Sequence, residues 1–68
     1  MARDLIAELE LEGTVLNSKY INLCNFLDSR NVGKVDPQQI VLLREQKICM
    51  QEYLSILANR VMLLKRSK

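Results

Sequence analysis

The sequence predicts an all-α fold: an antiparallel two-helix hairpin that assembles into a homo-oligomeric helical bundle. Three observations carry this. Apolar residues recur three and four apart along both halves of the 68-residue chain. A single cluster of turn residues, "DSRNVGKVD", interrupts them. The second half also carries more apolar rows than one neighbouring helix can cover. About half of the residues are hydrophobic, yet a chain this short sits near the lower limit for burying a sufficient core. Cys24 and Cys49 are the only cysteines and histidine is absent, so no Cys/His metal constellation can be assembled and no cofactor is expected. Association with another chain remains as the source of stability. The whole of 1–68 reads as one domain, with helix 1 at about 4–28, a turn at 29–36 and helix 2 at about 37–65.

Helix 1 rests on Ile6, Leu9, Leu16, Tyr20, Leu23 and Leu27, with Gly13 filling the missing position of the stripe. A second stripe, Leu5, Leu9, Leu16, Leu23 and Phe26 with Glu12 and Lys19 in its gaps, widens the apolar face. Gly13 costs roughly 1 kcal/mol relative to alanine in a helix interior. The first three turns are therefore expected to fray or to begin a separate short helix, with helix 1 firmest from about residue 14. Ser29, Asn31 and Gly33 mark its end, Asn or Gly taking the left-handed conformation.

Helix 2 has a strong start signal. Asp36 stands as N-cap, Pro37 at the first helical position, and Gln39 at N3 completes a pair resembling a capping box. From there Ile40, Leu43, Lys47, Met50, Leu54, Leu57, Val61 and Leu64 alternate three and four apart over more than three heptads, forming one seam. A parallel row, Leu42, Gln46, Cys49, Tyr53, Ile56, Arg60 and Leu63, follows the same spacing on an adjacent flank. One face can pack on helix 1 of the same chain; the other needs a second chain.

Charge favours the antiparallel arrangement. Asp4, Glu8, Glu10 and Glu12 open helix 1, while Arg60, Lys65, Arg66 and Lys68 close helix 2. A hairpin brings these ends together, and each set complements its own helix dipole.

The chemistry that the residues exclude is broad. A hairpin turning at 29–36 sets Cys24 and Cys49 about 12 Å out of level, too far for an intrachain disulfide, and both read as small buried hydrophobes. Glu8, Glu10 and Glu12 scatter around a helix instead of converging. No nucleophile with a base partner, phosphate-binding glycine loop or metal motif is present, so an enzyme with catalytic residues is not expected. The net charge of +2 and the "KRSK" tail are a thin signal for nucleic acid, given three aromatic residues and no basic recognition helix. The N-terminal stretch has acids where a secretory signal needs a basic start. Apolar runs fall far short of the ~20 residues that span a bilayer. A soluble cytoplasmic protein with reduced thiols is the expectation.

Gln46, Tyr53 and Arg60 recur every seventh residue on one stripe of helix 2. Long polar side chains on a heptad seam select register and oligomeric state at a cost in stability. The same three could instead bind a ligand, with Arg60 for an anionic group, Tyr53 for stacking and Gln46 for hydrogen bonds. Both readings stand if an oligomer interface forms the pocket.

The run "LNSKYINLCNFLDS", a short linker and "LLREQKICMQEYLSILANRV" resemble the small helical-hairpin accessory proteins of tailed bacteriophages and prophages, including crAss-like phages. The matching positions are Leu23, Phe26, Leu27, Leu42, Leu43, Gln46, Met50, Tyr53, Leu57 and Arg60. The resemblance spans about residues 16 to 61, and "ARDLIAELELE" departs from it. It implies a non-enzymatic phage protein of the host bacterial cytoplasm that acts by binding, countering host defence or modulating a host protein. Fold-level analogy adds two further readings: an oligomeric sponge for cyclic nucleotide immune signals, or a minor virion structural or assembly component.

Overall fold

The computed structural model describes residues 2–66, with side chains from Asp4 to Arg66; Lys68, assigned above to the basic end of helix 2, lies outside them. Two long helices, α1 (Ala2–Leu27) and α2 (Pro37–Arg66), form an antiparallel hairpin. A 3-10 turn, Arg30–Lys34, joins them. The described residues contain no strand.

On α2 the residues withdrawn from solvent are Ile40, Leu43, Lys47, Met50, Leu54, Leu57, Val61 and Leu64, with the rest of the helix exposed. On α1 they are Ile6, Leu9, Gly13, Leu16, Tyr20, Leu23, Cys24, Phe26 and Leu27. Each helix therefore turns one 3-4 stripe to the other, as the period of 3.6 residues per turn requires. Burial is shallow. Only Leu9, Leu23 and Leu57 are buried among the described side chains, with Leu57 the deepest at 2% exposed. Lys47 holds a seam position by laying its aliphatic stem along the apolar surface while its ammonium reaches water.

Gly13 does not break α1, contrary to the expectation that the first three turns begin a separate helix. The helix runs through it unbroken from Ala2. Ile6 and Leu9, on the N-terminal side of the glycine, are docked in the seam, and tertiary packing of an apolar stripe outweighs a propensity deficit of about 1 kcal/mol.

The end of α1 is also a correction. No described residue, Asn31 and Gly33 included, has a positive φ, so the left-handed stop is not used. Instead Ser29 turns extended at φ −86° and ψ 162°. Its amide donates to the Phe26 carbonyl at 3.0 Å and its hydroxyl donates to the same oxygen at 2.7 Å. Two carbonyl-directed bonds from one residue close the helix without a glycine. The chain then enters the 3-10 turn, with Val32 donating to Ser29 at 3.3 Å and Val35 to Val32 at 3.2 Å. Residues three apart eclipse on such a turn, and Val32 and Val35 are both half-buried.

At the start of α2 the Asp36 carboxylate accepts from the Gln38 amide at 2.8 Å, and the Asp36 carbonyl accepts from Ile40 at 3.1 Å. This is an N-cap with Pro37 at the first helical position, where its missing N–H leaves no bond unmade. The reciprocal half of a capping box is not formed, since the Gln39 side chain makes no hydrogen bond back to Asp36. At the other end of the hairpin Lys65 meets Glu10 at 3.3 Å. With both groups about half exposed, such a pair contributes ~0–1 kcal/mol.

Replacing Asp36 by alanine removes the acceptor for the Gln38 amide and should destabilise the hairpin by about 1 kcal/mol. Urea denaturation followed by circular dichroism measures this; an unchanged midpoint would mean that the carboxylate does not cap α2.

Candidate interaction face

With one stripe of each helix consumed by the seam, two flanks of the hairpin stay open along its length. The first contains the row Leu42, Gln46, Cys49, Tyr53, Ile56, Arg60 and Leu63, every member of which is exposed. The sequence treats both cysteines as buried hydrophobes, and this is corrected at Cys49, which stands in the exposed row. Cys24 is half-buried and free. It lies one turn beyond Tyr20, and as a hydrogen-bonding neighbour of the phenol it raises the Tyr20 pKa above the ordinary tyrosine value, with desolvation a smaller cause.

Gln46, Tyr53 and Arg60 therefore do not sit in the intrachain seam. They interrupt an exposed apolar row on its flank. On α1 the neighbouring surface is supplied by Glu8, Leu11, Glu12, Val15 and Lys19, which with Leu16 and Tyr53 line a groove of about 450 Å³. Leu5, Leu11, Val15, Leu42, Tyr53, Ile56 and Leu63 are all large apolar side chains left exposed on this side, Leu11 at 66% and Leu63 at 59%. Spacing had placed neither Leu11 nor Val15 on a stripe. They come to the face because it wraps past the seam onto the outer surface of α1, a feature visible only once the side facing α2 is known.

Among the described residues Arg60 makes no ion pair or hydrogen bond, and neither do Glu8 and Glu12. Yet they share one level. Leu9 and Gly13 line a common groove with Leu57 and Val61, so the α1 segment carrying Glu8 and Glu12 runs alongside the α2 segment carrying Arg60. Two carboxylates at that level lower the potential around the guanidinium, and a single hairpin presents an anionic ligand with a mixed field instead of a basic pocket.

The opposite flank has a different character. There Gly13 leaves a gap in the stripe of α1, and the space above Leu54, Leu57, Ala58 and Val61 opens as a groove of about 480 Å³ with Glu10, Thr14 and Asn17 on its rim. Thr14 turns its hydroxyl back to the Glu10 carbonyl at 3.0 Å, which satisfies the hydroxyl inside the helix. A Cβ built on Gly13 would meet nothing within 4 Å. Spacing puts Gly13 in the stripe and propensity makes it a weak point, but neither shows the groove; a glycine at a seam position opposite leucine and alanine is the signal that could have found it. Among the described residues no three of His, Cys, Asp and Glu converge as metal ligands.

Fold and surface together define a class of protein: a slender helical hairpin with large apolar side chains exposed on its flanks. The chain belongs to the Sequestin family, whose model matches residues 3–63. No curated protein and no solved structure matches it.

Substituting Gly13 by alanine should stabilise the hairpin by roughly 0.5–1 kcal/mol, because a better helix former enters open space without strain. The denaturation midpoint should rise; a fall would show that the gap at Gly13 is filled in solution.

Proposed function

We propose that this chain is a non-enzymatic phage accessory protein that binds and sequesters a host target in the bacterial cytoplasm, acting as a homo-oligomer of hairpins. The family name supports a sequestering role, and the resemblance to phage hairpin proteins supplies the setting. The observation that carries the reading is the surface left after the seam is spent. The chain extends over 51 × 15 × 14 Å with a radius of gyration of 15.4 Å, against about 11 Å for a compact chain of this length. It exposes 5561 Å², against roughly 4,400 Å² for a compact monomer of its mass. An elongated hairpin that leaves eleven large apolar side chains exposed among its described residues is suited to contact other chains.

A host protein fits that surface better than a nucleotide signal does. Large apolar side chains are exposed on both flanks, while Glu8 and Glu12 beside the Arg60 row offset the positive field that the phosphates of a cyclic nucleotide favour. Thermal-shift measurement against a panel of cyclic di- and trinucleotides should leave the melting temperature unchanged, while a tight ligand at a hundred times its Kd would add about 2.7 kcal/mol of stability. A clear upward shift that disappears in Arg60→Leu would replace the protein-target reading with the sponge. Recovery of the chain from purified virions at stoichiometric level would replace it with an assembly role.

A further inference from the structure

We infer that the flank carrying Gln46, Tyr53 and Arg60 is the surface through which two copies of this chain pair side by side, with their terminal ends together, so that Arg60 of each meets Glu8 and Glu12 of the other. The inference rests on the oligomeric reading above and names the surface and the geometry.

Area and charge point to a second copy as the occupant. The exposed surface exceeds that of a compact monomer by roughly 1,100 Å² per chain, and a standard stable interface covers about 800 Å² per partner. Covering this flank removes from water Leu11, Val15, Tyr53, Ile56 and Leu63, five of the large apolar side chains now exposed. Two stacked hairpins make a four-helix bundle, the smallest closed arrangement in which both stripes of α2 are covered.

Charge selects the orientation. Arg60, Glu8 and Glu12 stand at one level near the terminal end and are all unpaired within the hairpin. A two-fold axis along the length of the bundle sets α2 of one chain beside the partner's α1 at equal height. That places each Arg60 against the partner's Glu8 and the partner's Glu12, and symmetry makes the contact twice. A two-fold axis perpendicular to the bundle would lay the terminal end on the partner's turn end, where the row carries Asn22, Phe26, Leu42 and Gln46 and the single carboxylate of Glu45 stands at its edge. Arg60 would then have one carboxylate at the edge of the contact in place of two facing it, a weaker compensation for covering its charge. Gln46 and Tyr53, on the same stripe, lie within the paired surface and limit the register to one in which their polar atoms stay satisfied.

The test uses two full-length variants, Arg60→Glu and the double variant Glu8→Lys/Glu12→Lys, in sedimentation velocity with circular dichroism on the same samples. The wild-type chain should sediment at twice its 7.9 kDa mass at micromolar concentration. Each variant alone should dimerise at least tenfold more weakly, since it sets like charges against each other. An equimolar mixture should recover the dimer, because the Arg60→Glu chain offers glutamate to the lysines of its partner while the other two-fold contact stays native. If a variant alone loses helix content, the mixture should recover that as well, so failure to fold in isolation leaves the test intact. A wild-type dimer unaffected by either variant, or a mixture that fails to recover, would overturn the pairing surface while leaving the oligomer. A wild-type chain that stays monomeric at 100 µM would overturn the oligomeric reading itself.

Discussion

The seam between α1 and α2, centred on the deeply buried Leu57, is the contact on which the rest of the structure depends, and its limit is geometric. Two helices touch along one stripe each. However good the leucine pattern, a pair of rods cannot enclose a core, because every stripe residue has helix on one side and solvent close by on the other. This is why only three of the described side chains are buried in a protein that is about half hydrophobic. Conformational entropy is lost by every ordered residue whatever its burial, so a seam this thin leaves the hairpin near the margin of stability. The Asp36 cap, the Ser29 closure and the Lys65–Glu10 pair each contribute around 1 kcal/mol or less, and near the margin such contributions are large fractions of the whole.

The hairpin was legible because its information is periodic. The row from Ile40 to Leu64 repeats three and four apart without a break, and the side facing α1 is that row; nothing but an α-helix turns such positions to one side. Asp36 and Pro37 were legible for a different reason, as local chemistry that works only at a helix start. What escaped depended on tertiary context or on competing local options. Gly13 reads as a break when propensity is considered alone, and Ile6 and Leu9 hold α1 together across it. Asn31 and Gly33 read as left-handed stops, but Ser29, two residues beyond the last helical residue, closes the helix on the Phe26 carbonyl with its amide and hydroxyl. Cys49 reads as a buried hydrophobe from its residue type, yet its position one place before the seam row puts it on the open flank. Spacing shows which residues share a stripe; it does not show which stripe the partner helix takes.

The same limit applies to Gln46, Tyr53 and Arg60. Their common stripe follows from the sevenfold spacing, while their surroundings depend on α1, which brings Glu8, Glu12 and Lys19 alongside. An arginine on a helix can look like an anion site in sequence and lie in a mixed field in three dimensions. Charge on this hairpin is distributed by helix direction, with acids at the start of α1 and bases at the end of α2, and antiparallel folding superposes the two sets at one end. The superposition gives a self-complementary surface, the property a two-fold contact between identical chains requires, and it works against a concentrated basic pocket on one chain.

If the Arg60 flank is spent on a second copy, the surface left for a target is the opposite flank, where the glycine gap opens the larger groove. A methyl group at position 13 would meet nothing and would favour the helix, so the hairpin forgoes stability that it could have had at no steric cost. The groove floor is apolar, with Leu54, Leu57 and Val61, and its rim is polar, with Glu10, Thr14 and Asn17, a layout suited to an apolar side chain presented on a polar peptide or helix. A dimer would carry two such grooves on its outer sides, and two grooves held on one rigid bundle capture a multivalent target far more tightly than either alone.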